Sequence, residues 1–260
     1  MTAPLVEVRD LAVAYGPRRV ASLPSLSLRR GECVALVGES GSGKTTVLLA
    51  LLGLLDAGAR VSGTVRVCGV DVTTGSEREL RSVRGTGIAL VLQDAQESLN
   101  PTMRLGTLLR RALARHGVRG RAARERVGEA LASVWLPESI TRRYPHEVSG
   151  GQAQRLAIAL AVALGADVLA ADEPTSALDM TVQAEVMGVL QRLRAERGMA
   201  LLLVSHDLAL VSTVADRVVV MRDGEVVECG ATARVLTAPA HSYTRDLIAA
   251  VPTLGASRGS

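Results

Sequence analysis

The sequence is poor in aromatic residues and in lysine. Its 260 residues include no Phe, and Phe, Trp and Tyr together make up only 2% of the chain. It has 30 Lys and Arg residues, but Lys44 is the only lysine. The net charge is +4, and basic residues cluster between 104 and 126, where Glu125 is the only acid. Because single-stranded nucleic acids stack their bases on aromatic side chains, this run without interleaved aromatics favours a solvated face over a nucleic-acid site.

Cysteine pairs and long apolar runs are also missing. Cys33, Cys68 and Cys229 are odd in number and widely spaced, which predicts neither a disulfide framework nor a zinc site and suits a reducing compartment. The longest apolar stretches, 47–55 and 156–164, are far shorter than the roughly 20 residues that span a bilayer. The start of the chain lacks a basic segment followed by an apolar core. We therefore expect a soluble or peripheral protein without a secretory signal.

A glycine-rich loop stands between an apolar run, 33–37, and a leucine-rich run, 47–55. Its residues follow the spacing G-x-x-x-x-G-K-[ST] and are Gly38, Glu39, Ser40, Gly41, Ser42, Gly43, Lys44, Thr45 and Thr46. In a strand–loop–helix arrangement, the glycines let successive N–H groups surround an anion, and the helix dipole favours negative charge. Lys44 would reach the β- and γ-phosphates of a nucleotide, and the Thr45 hydroxyl would bind Mg²⁺.

An apolar stretch, 168–171, ends in Asp172 and Glu173. A strand that ends in two acids is a weak signal alone, but here a phosphate-binding loop lies upstream. An Asp at the carboxyl end of a neighbouring strand is where a carboxylate that organises Mg²⁺ belongs. Glu173 would then act as the general base on the attacking water.

A second anion-binding pattern, Ser149-Gly150-Gly151-Gln152, opens a helix predicted from about 153 to 164. The alternative is an ordinary helix cap with a flexible turn. One chain does not need two γ-phosphate sites, so the simplest explanation is that this segment serves the nucleotide of a partner.

Strands that alternate with helices predict an α/β fold with a largely parallel central sheet and antiparallel strands at the start. We expect one domain over 1–260, with a catalytic core of 1–93 and 165–260 and an arginine-rich helical insertion at 94–164. The predicted strands are 5–13, 23–28, 33–37, 61–67, 87–92, 168–171, 199–204, 217–221 and 225–229. The other predicted helices are 77–84, 179–196, 208–215, 231–236 and 242–250, and helical periodicity also runs from about 102 to 137.

Taken in order, these motifs resemble those of ABC transporter ATPases over essentially the whole chain. The matches are Gly38–Thr45 with the Walker A motif, Gln93 with the Q-loop, Ser149–Gln152 with the signature, Asp172–Glu173 with Walker B, Ser176, Ala177, Leu178 and Asp179 with the D-loop, and His206 with the H-loop. The resemblance implies a P-loop NTPase fold, an ABC-type nucleotide-binding domain with an antiparallel β subdomain and an inserted helical subdomain, that hydrolyses ATP with Mg²⁺.

The resemblance also implies individual roles. Two cassettes would pack head to tail, so that the Walker A of one faces the signature of the other. Tyr15 would stack on adenine, Gln93 would contact Mg²⁺ and the attacking water, and His206 would contact the γ-phosphate. The alternatives are a loop aromatic, a polar residue at a strand end and a surface histidine near a helix start. Val148 and Ala170 replace the family's usual larger residues conservatively.

Three segments resemble the ATPases of peptide and nickel importers: 93–103, Tyr144–Glu147, and the tail from His241-Ser242-Tyr243 to Val251-Pro252. The cysteine cluster that many peptide-type members carry beyond this tail is missing, so nickel or a metal chelate stays open beside peptides. The implied partners are a second, homologous ATPase, two membrane permeases at the cytoplasmic face of the inner membrane, and an extracytoplasmic substrate-binding protein. Alternatives are a soluble ABC ATPase acting on DNA or ribosomes, and a phosphonate-degradation accessory protein.

Overall fold

The computed structural model describes residues 3–250, which contain two β-sheets and the helices that cover them. The strands are β1 Val6–Tyr15, β2 Arg18–Leu28, β3 Cys33–Val37, β4 Ala59–Val67, β5 Val70–Asp71, β6 Ile88–Val91, β7 Val168–Asp172, β8 Ala200–Ser205, β9 Arg217–Arg222 and β10 Glu225–Ala231. The helices are α1 Lys44–Leu52, α2 Glu77–Val83, α3 Ala95–Ser98, α4 Leu105–Arg115, α5 Gly120–Ser133, α6 Gly150–Leu164, α7 Met180–Arg197, α8 Leu208–Val214, α9 Thr232–Thr237 and α10 Ser242–Ala249. Val251 and Pro252, where the tail that resembles importer ATPases ends, lie outside the described residues.

The first sheet is antiparallel, with the strand order β2-β1-β4-β5, which confirms the antiparallel strands predicted at the start of the chain. The predicted start of β2 at residue 23 was wrong, because the strand begins at Arg18 directly after a tight turn. Tyr15 pairs with Arg18 and Ala14 with Arg19, so the backbone ladder continues where the side chains show no apolar alternation. Backbone pairing of this kind leaves no hydrophobic pattern in the sequence.

The second sheet has the order β10-β9-β3-β8-β7-β6, and all its pairings are parallel except that between β9 and β10. The largely parallel central sheet is therefore confirmed. Val37 at the end of β3 pairs with Ser205, and Asp172 at the end of β7 pairs with Val204. The segments that follow β3, β7 and β8 consequently leave the sheet at the same edge, where open α/β sheets bind their ligands.

The central strand β3 is buried on both faces. Cys33, Ala35 and Val37 face a core built with α4 to α8, whereas Val34 and Leu36 face a core shared with α1 and the antiparallel sheet. Such alternation between two cores explains why the strand is apolar throughout. Burial raises the pKa of the Cys33 thiol to about 12, in keeping with its predicted role as a small buried side chain.

Four helices, α3 to α6, lie between β6 and β7, and α5 packs against both α4 and α6. The last of them begins at Gly150, three residues before the predicted start near 153. The reason is a capping box in which Ser149 and Gln152 exchange side-chain and backbone hydrogen bonds, so the glycines themselves are helical. Within residues 3–250, no helix combines the length and the apolarity needed to cross a bilayer.

Candidate nucleotide site

The glycine-rich loop lies at the carboxyl edge of the central sheet, packed between two other parts of the chain. Gly38 has a φ of 150°, and a Cβ there would overlap the Met221 carbonyl oxygen at the end of β9. Gly43 has a φ of 96°, and its Cβ would lie 2.8 Å from the Val20 carbonyl oxygen of β2. Because both φ values disfavour L-residues and both contacts involve backbone atoms, these two positions require glycine.

The side chain of the single lysine, Lys44, makes hydrogen bonds within its own loop. Lys44 is 5% exposed, and its Nζ donates hydrogen bonds to the carbonyl oxygens of Gly38 at 2.8 Å and Glu39 at 2.7 Å, and to Ser42 Oγ at 3.2 Å. Burial lowers the pKa of the Lys44 ammonium, although nearby Glu173 and Asp172 counteract that effect. A phosphate in the loop would compete with the two carbonyls for this ammonium.

Two carboxylates lie beside the loop, that of Asp172 at the end of β7 and that of Glu173 directly after it. Asp172 is 8% exposed, and burial raises its pKa, while a hydrogen bond from the Thr45 hydroxyl and the charge of Lys44 act in the opposite direction. A hydroxyl and a carboxylate together are oxygen ligands of the kind that Mg²⁺ uses when nucleotide phosphates complete its shell. No cluster of three or more His, Cys, Asp or Glu that could hold a metal occurs in residues 3–250. A magnesium ion at Thr45 and Asp172 would therefore depend on the phosphates.

Glu173 has an unusual backbone conformation for a non-glycine residue, with a φ of 46°. Its N–H donates to the Val204 carbonyl oxygen at 2.9 Å, and its carboxylate Oε2 lies 3.2 Å from Nδ1 of His206. Left-handed backbone at a non-glycine residue costs on the order of 1 kcal/mol and is concentrated at functional sites. The strained turn directs the Glu173 carboxylate towards the exposed imidazole that follows β8.

The second predicted anion-binding segment, Ser149–Gln152, packs against the residues that follow Glu173. A Cβ at Gly150 would contact Leu178 Cδ2 at 3.4 Å, and a Cβ at Gly151 would overlap Val182 Cγ1 at the start of α7. Ser149 and Gly150 themselves are exposed at the amino end of α6. Gly151 is buried, and the Gln152 N–H donates to Ser149 Oγ at 3.3 Å, so the exposed part of this helix end is formed by Ser149 and Gly150.

Residues 176–179 connect Glu173 to α7, the helix on which Gly151 packs. Ser176 Oγ donates to the Glu173 carbonyl oxygen at 3.2 Å. Ala177 is exposed, and Asp179 caps α7 by accepting hydrogen bonds from the N–H groups of Thr181 and Val182, each at 3.0 Å. The segment from Glu173 to α7 thus links the strained acid to the helix on which Gly151 packs.

The two remaining predicted site residues lie at the ends of strands. Tyr15 is half-buried at the end of β1, opposite Ala59, with its ring close to Gly58. Gln93 is exposed, two residues beyond β6. Their positions leave the adenine and water-binding roles as predictions.

One contact with the loop was missed by the sequence analysis. The Tyr243 hydroxyl on α10 accepts a hydrogen bond from the Glu39 N–H at 3.0 Å. The two residues are 204 positions apart, so no local pattern could have indicated this pairing. The only signal was that Tyr243 belongs to the tail segment that resembles importer ATPases.

Comparison with known proteins identifies the family of this chain. The ABC transporter family model matches residues 22–176. A Brucella abortus protein named as a peptide import ATP-binding protein is 44% identical over 97% of this chain and 79% of its own length. A peptidoglycan transport ATP-binding protein of Agrobacterium fabrum is 44% identical over 96% of this chain and 48% of its own length.

Solved structures give the same result for the fold. A dimeric ATP-binding cassette, solved in a post-hydrolysis state with ADP and phosphate, superposes with a TM-score of 0.75 and 27% identity over 87% of this chain and 98% of its own. A cassette from the ABC transporter complex cbiONQ of Clostridium perfringens superposes with a TM-score of 0.78 and 26% identity over 90% of this chain and 91% of its own. The chain therefore belongs to the ABC transporter family, in which it is an ATP-binding cassette with ATPase activity.

Proposed function

We propose that the chain is the ATP-hydrolysing subunit of an ABC importer that takes up peptides, with nickel or a metal chelate as the alternative cargo. The proposal rests on the convergence of Lys44, Asp172, Glu173 and His206 at one sheet edge. That convergence occurs in a chain 44% identical, over 97% of its length, to a protein named for peptide import.

In the proposed site, the loop amides and Lys44 bind the β- and γ-phosphates. Lys44 exchanges its hydrogen bonds to the Gly38 and Glu39 carbonyls for phosphate oxygens, so its charge remains compensated when ATP enters. Thr45 and Asp172 hold Mg²⁺, which supplies positive charge where the transferred phosphoryl group develops negative charge. Because Asp172 is almost completely buried, its carboxylate gains most from a cation at that position.

Glu173 takes the proton of the attacking water in this proposal. His206 Nδ1, which is 3.2 Å from the carboxylate, orients it and contacts the γ-phosphate through the exposed part of its ring. Gln93, two residues beyond β6, would contact the water and Mg²⁺, and Tyr15 would stack on the adenine. General-base assistance of this kind contributes about 10²- to 10⁴-fold in rate.

A second ATPase subunit completes the site. We propose that Ser149, Gly150, Gly151 and Gln152 bind the γ-phosphate held by a homologous partner in a head-to-tail dimer, since Ser149 and Gly150 are exposed at the start of α6. The segment 176–179 runs along the same interface. Hydrolysis would then require dimerisation.

The subunit would work at the cytoplasmic face of the membrane with two permeases, to which an extracytoplasmic binding protein delivers the cargo. We propose that 94–164 forms a helical subdomain inserted between 1–93 and 165–260, and that its first residues, 94–103, contact the permease. Closing and opening of the ATPase dimer would be transmitted to the permeases through this segment.

Glu173→Gln tests the hydrolytic assignment. The variant keeps the size of the side chain but removes the base, so we expect it to bind MgATP, to elute as an ATP-dependent dimer and to hydrolyse ATP about 10²-fold or more slowly. Glu196→Gln, an exposed change on α7, is the matched control and should behave like the unchanged protein. Unchanged ATP turnover by Glu173→Gln would contradict the assignment of Glu173 as the general base.

The cargo is tested with the assembled transporter. The chain is copurified with the permeases and binding protein encoded beside it, reconstituted in liposomes, and assayed for ATP-dependent uptake of labelled peptides and of Ni²⁺. Peptide uptake supports the proposal, uptake of the metal alone assigns the alternative cargo, and a chain that associates with no permease contradicts the importer function.

A further inference from the structure

The carboxyl-terminal helix α10 contacts the glycine loop through one buried side chain. Tyr243 is 4% exposed, and its hydroxyl oxygen lies 3.0 Å from the backbone nitrogen of Glu39. The Glu39 N–H donates this hydrogen bond, so this amide points to the tyrosine. The loop that carries the nucleotide chemistry therefore has a support in a distant part of the chain.

The position of the Tyr243 ring is fixed by the end of the β9–β10 hairpin. The guanidinium carbon of Arg222 lies 5.0 Å from the centre of the ring, within the range of a cation–π contact. Arg222 directly follows Met221, whose carbonyl oxygen packs against Gly38. The hairpin and the tyrosine consequently cover the beginning of the glycine loop together.

The amino end of α10 is also fixed. The Glu228 carboxylate of β10 accepts hydrogen bonds from the N–H groups of Ala240 at 2.8 Å and His241 at 3.0 Å. His241 Nδ1 in turn accepts a hydrogen bond from the Tyr243 N–H at 3.2 Å. The tyrosine is therefore attached to the central sheet through β10 and does not depend on the loop for its position.

These contacts hold the Glu39 residue from two sides. Tyr243 accepts from its N–H, and Lys44 Nζ donates to its carbonyl oxygen at 2.7 Å. Only the lysine contact is lost when Lys44 turns to a phosphate. We propose that Tyr243 is a positioning residue that keeps the glycine loop in its phosphate-binding shape after Lys44 has exchanged the loop carbonyls for the nucleotide.

This inference rests on the proposed role of the loop and Lys44 in phosphate binding. The three hydrogen bonds that Lys44 makes within the loop do not involve Tyr243, so we expect the nucleotide-free loop to keep them when the tyrosine hydroxyl is removed. With nucleotide bound, the hydrogen bond from the Glu39 N–H to Tyr243 contributes more to keeping the loop in its shape. Removing the hydroxyl should therefore weaken the loaded state more than the empty one and lower nucleotide affinity without changing the chemical step.

Tyr243→Phe removes only the hydroxyl. The unmade hydrogen bond should weaken MgATP binding by about three- to ten-fold and raise KM by the same factor. The value of kcat at saturating MgATP should stay within about two-fold of the unchanged protein, because the reacting groups are untouched. The Tm of the empty protein should change little, whereas the rise in Tm caused by MgATP should become smaller.

Tyr144→Phe is the matched control, because that tyrosine also lies under an arginine, with Arg104 5.7 Å from its ring, but does not contact the loop. It should bind MgATP as tightly as the unchanged protein. Equal affinity in Tyr243→Phe and the unchanged protein would overturn the inference, as would a loss of stability that is the same with and without MgATP.

Hydrogen exchange at the ¹⁵N-labelled Glu39 amide of the unchanged protein covers the case in which Tyr243→Phe fails to fold. Slow exchange in both the empty and the MgATP-loaded protein supports the inference, and fast exchange in the loaded protein overturns it. If the unchanged protein does not bind MgATP at all, the proposed function fails as well. If it binds normally and only the Tyr243 results disagree, the positioning role alone is wrong.

Discussion

Gly151→Ala should distinguish packing from ligand binding in the segment 149–152. A Cβ at this position would overlap Val182 Cγ1 on α7. Valine is β-branched and has essentially one rotamer in a helix, so it cannot turn away, and the two helices must separate instead. Overpacking of this kind costs about 1–3 kcal/mol. Alanine regains up to about 1 kcal/mol of helix propensity.

With the full propensity gain, the expected net loss for Gly151→Ala is about 0–2 kcal/mol, which lowers the Tm of a domain of this size by up to roughly 8 °C, and Gly151→Ala should be less stable than Gly150→Ala by the whole overpacking cost. Gly150→Ala is the matched control. Its Cβ would be in ordinary contact with Leu178 at 3.4 Å, so its Tm should be unchanged or slightly higher. Thermal unfolding of the nucleotide-free protein measures both variants.

Val182→Ala provides the second half of a double-mutant cycle. It removes the overlapping methyl group, so adding it to Gly151→Ala should cost less stability than adding it to the unchanged protein, with a coupling energy of about 1 kcal/mol or more. If the glycine also allows close approach of a partner's phosphate, the double variant regains stability but not ATPase activity. The packing argument is refuted if Gly151→Ala is as stable as Gly150→Ala, or if the two costs in the cycle simply add.

Two further predictions concern the charges of the site. Lys44→Ala should lose most of its MgATP affinity in equilibrium binding because the remaining backbone amides cannot replace the ammonium, and unchanged binding would contradict the phosphate role. Since burial raises the pKa of Asp172, the folded state binds protons more readily than the unfolded chain between the ordinary and the raised value, and stability falls as pH rises through that window. Asp172→Asn should therefore raise the Tm of the nucleotide-free protein at pH 7, and this gain in Tm should disappear as pH falls towards about 4. The variant should also abolish hydrolysis. An unchanged Tm at pH 7 would contradict the raised pKa of Asp172.

The sequence predicted the chemistry of the loop better than its surroundings. A strand, glycines and a helix start are local patterns, and parallel strands bring their carboxyl ends to one edge, so the meeting of Lys44 with Asp172 and Glu173 follows from topology. The close contacts of Gly38 with Met221 and of Gly43 with Val20, which leave no room for a Cβ, do not follow from topology. They depend on how the β9–β10 hairpin and the antiparallel sheet pack on the loop.

The errors at element boundaries have a similar origin. The start of β2 at Arg18 is determined by backbone pairing with β1 rather than by side-chain alternation. The start of α6 at Gly150 is determined by the capping box of Ser149 and Gln152, which compensates for two glycines that disfavour a helix interior. The φ of 46° at Glu173 had no signal in the sequence, because no glycine or asparagine stands there.

The contacts of the glycine loop divide into fixed and exchangeable ones. Val20, Met221 and Tyr243 are packed in or against the two hydrophobic cores, so we expect their contacts with the loop to persist when the loop binds a nucleotide. The hydrogen bonds of Lys44 to Gly38, Glu39 and Ser42 lie within the loop and are the ones that a phosphate would exchange. If other parts of the chain hold the loop in shape, the free-energy cost of reorganising it when an anion binds is small. The free energy of exchanging carbonyls for phosphate oxygens then contributes directly to nucleotide affinity. The spacing of the motif predicts which ligand binds, and the packing of β2, β9 and α10 decides how well the loop is preorganised for it.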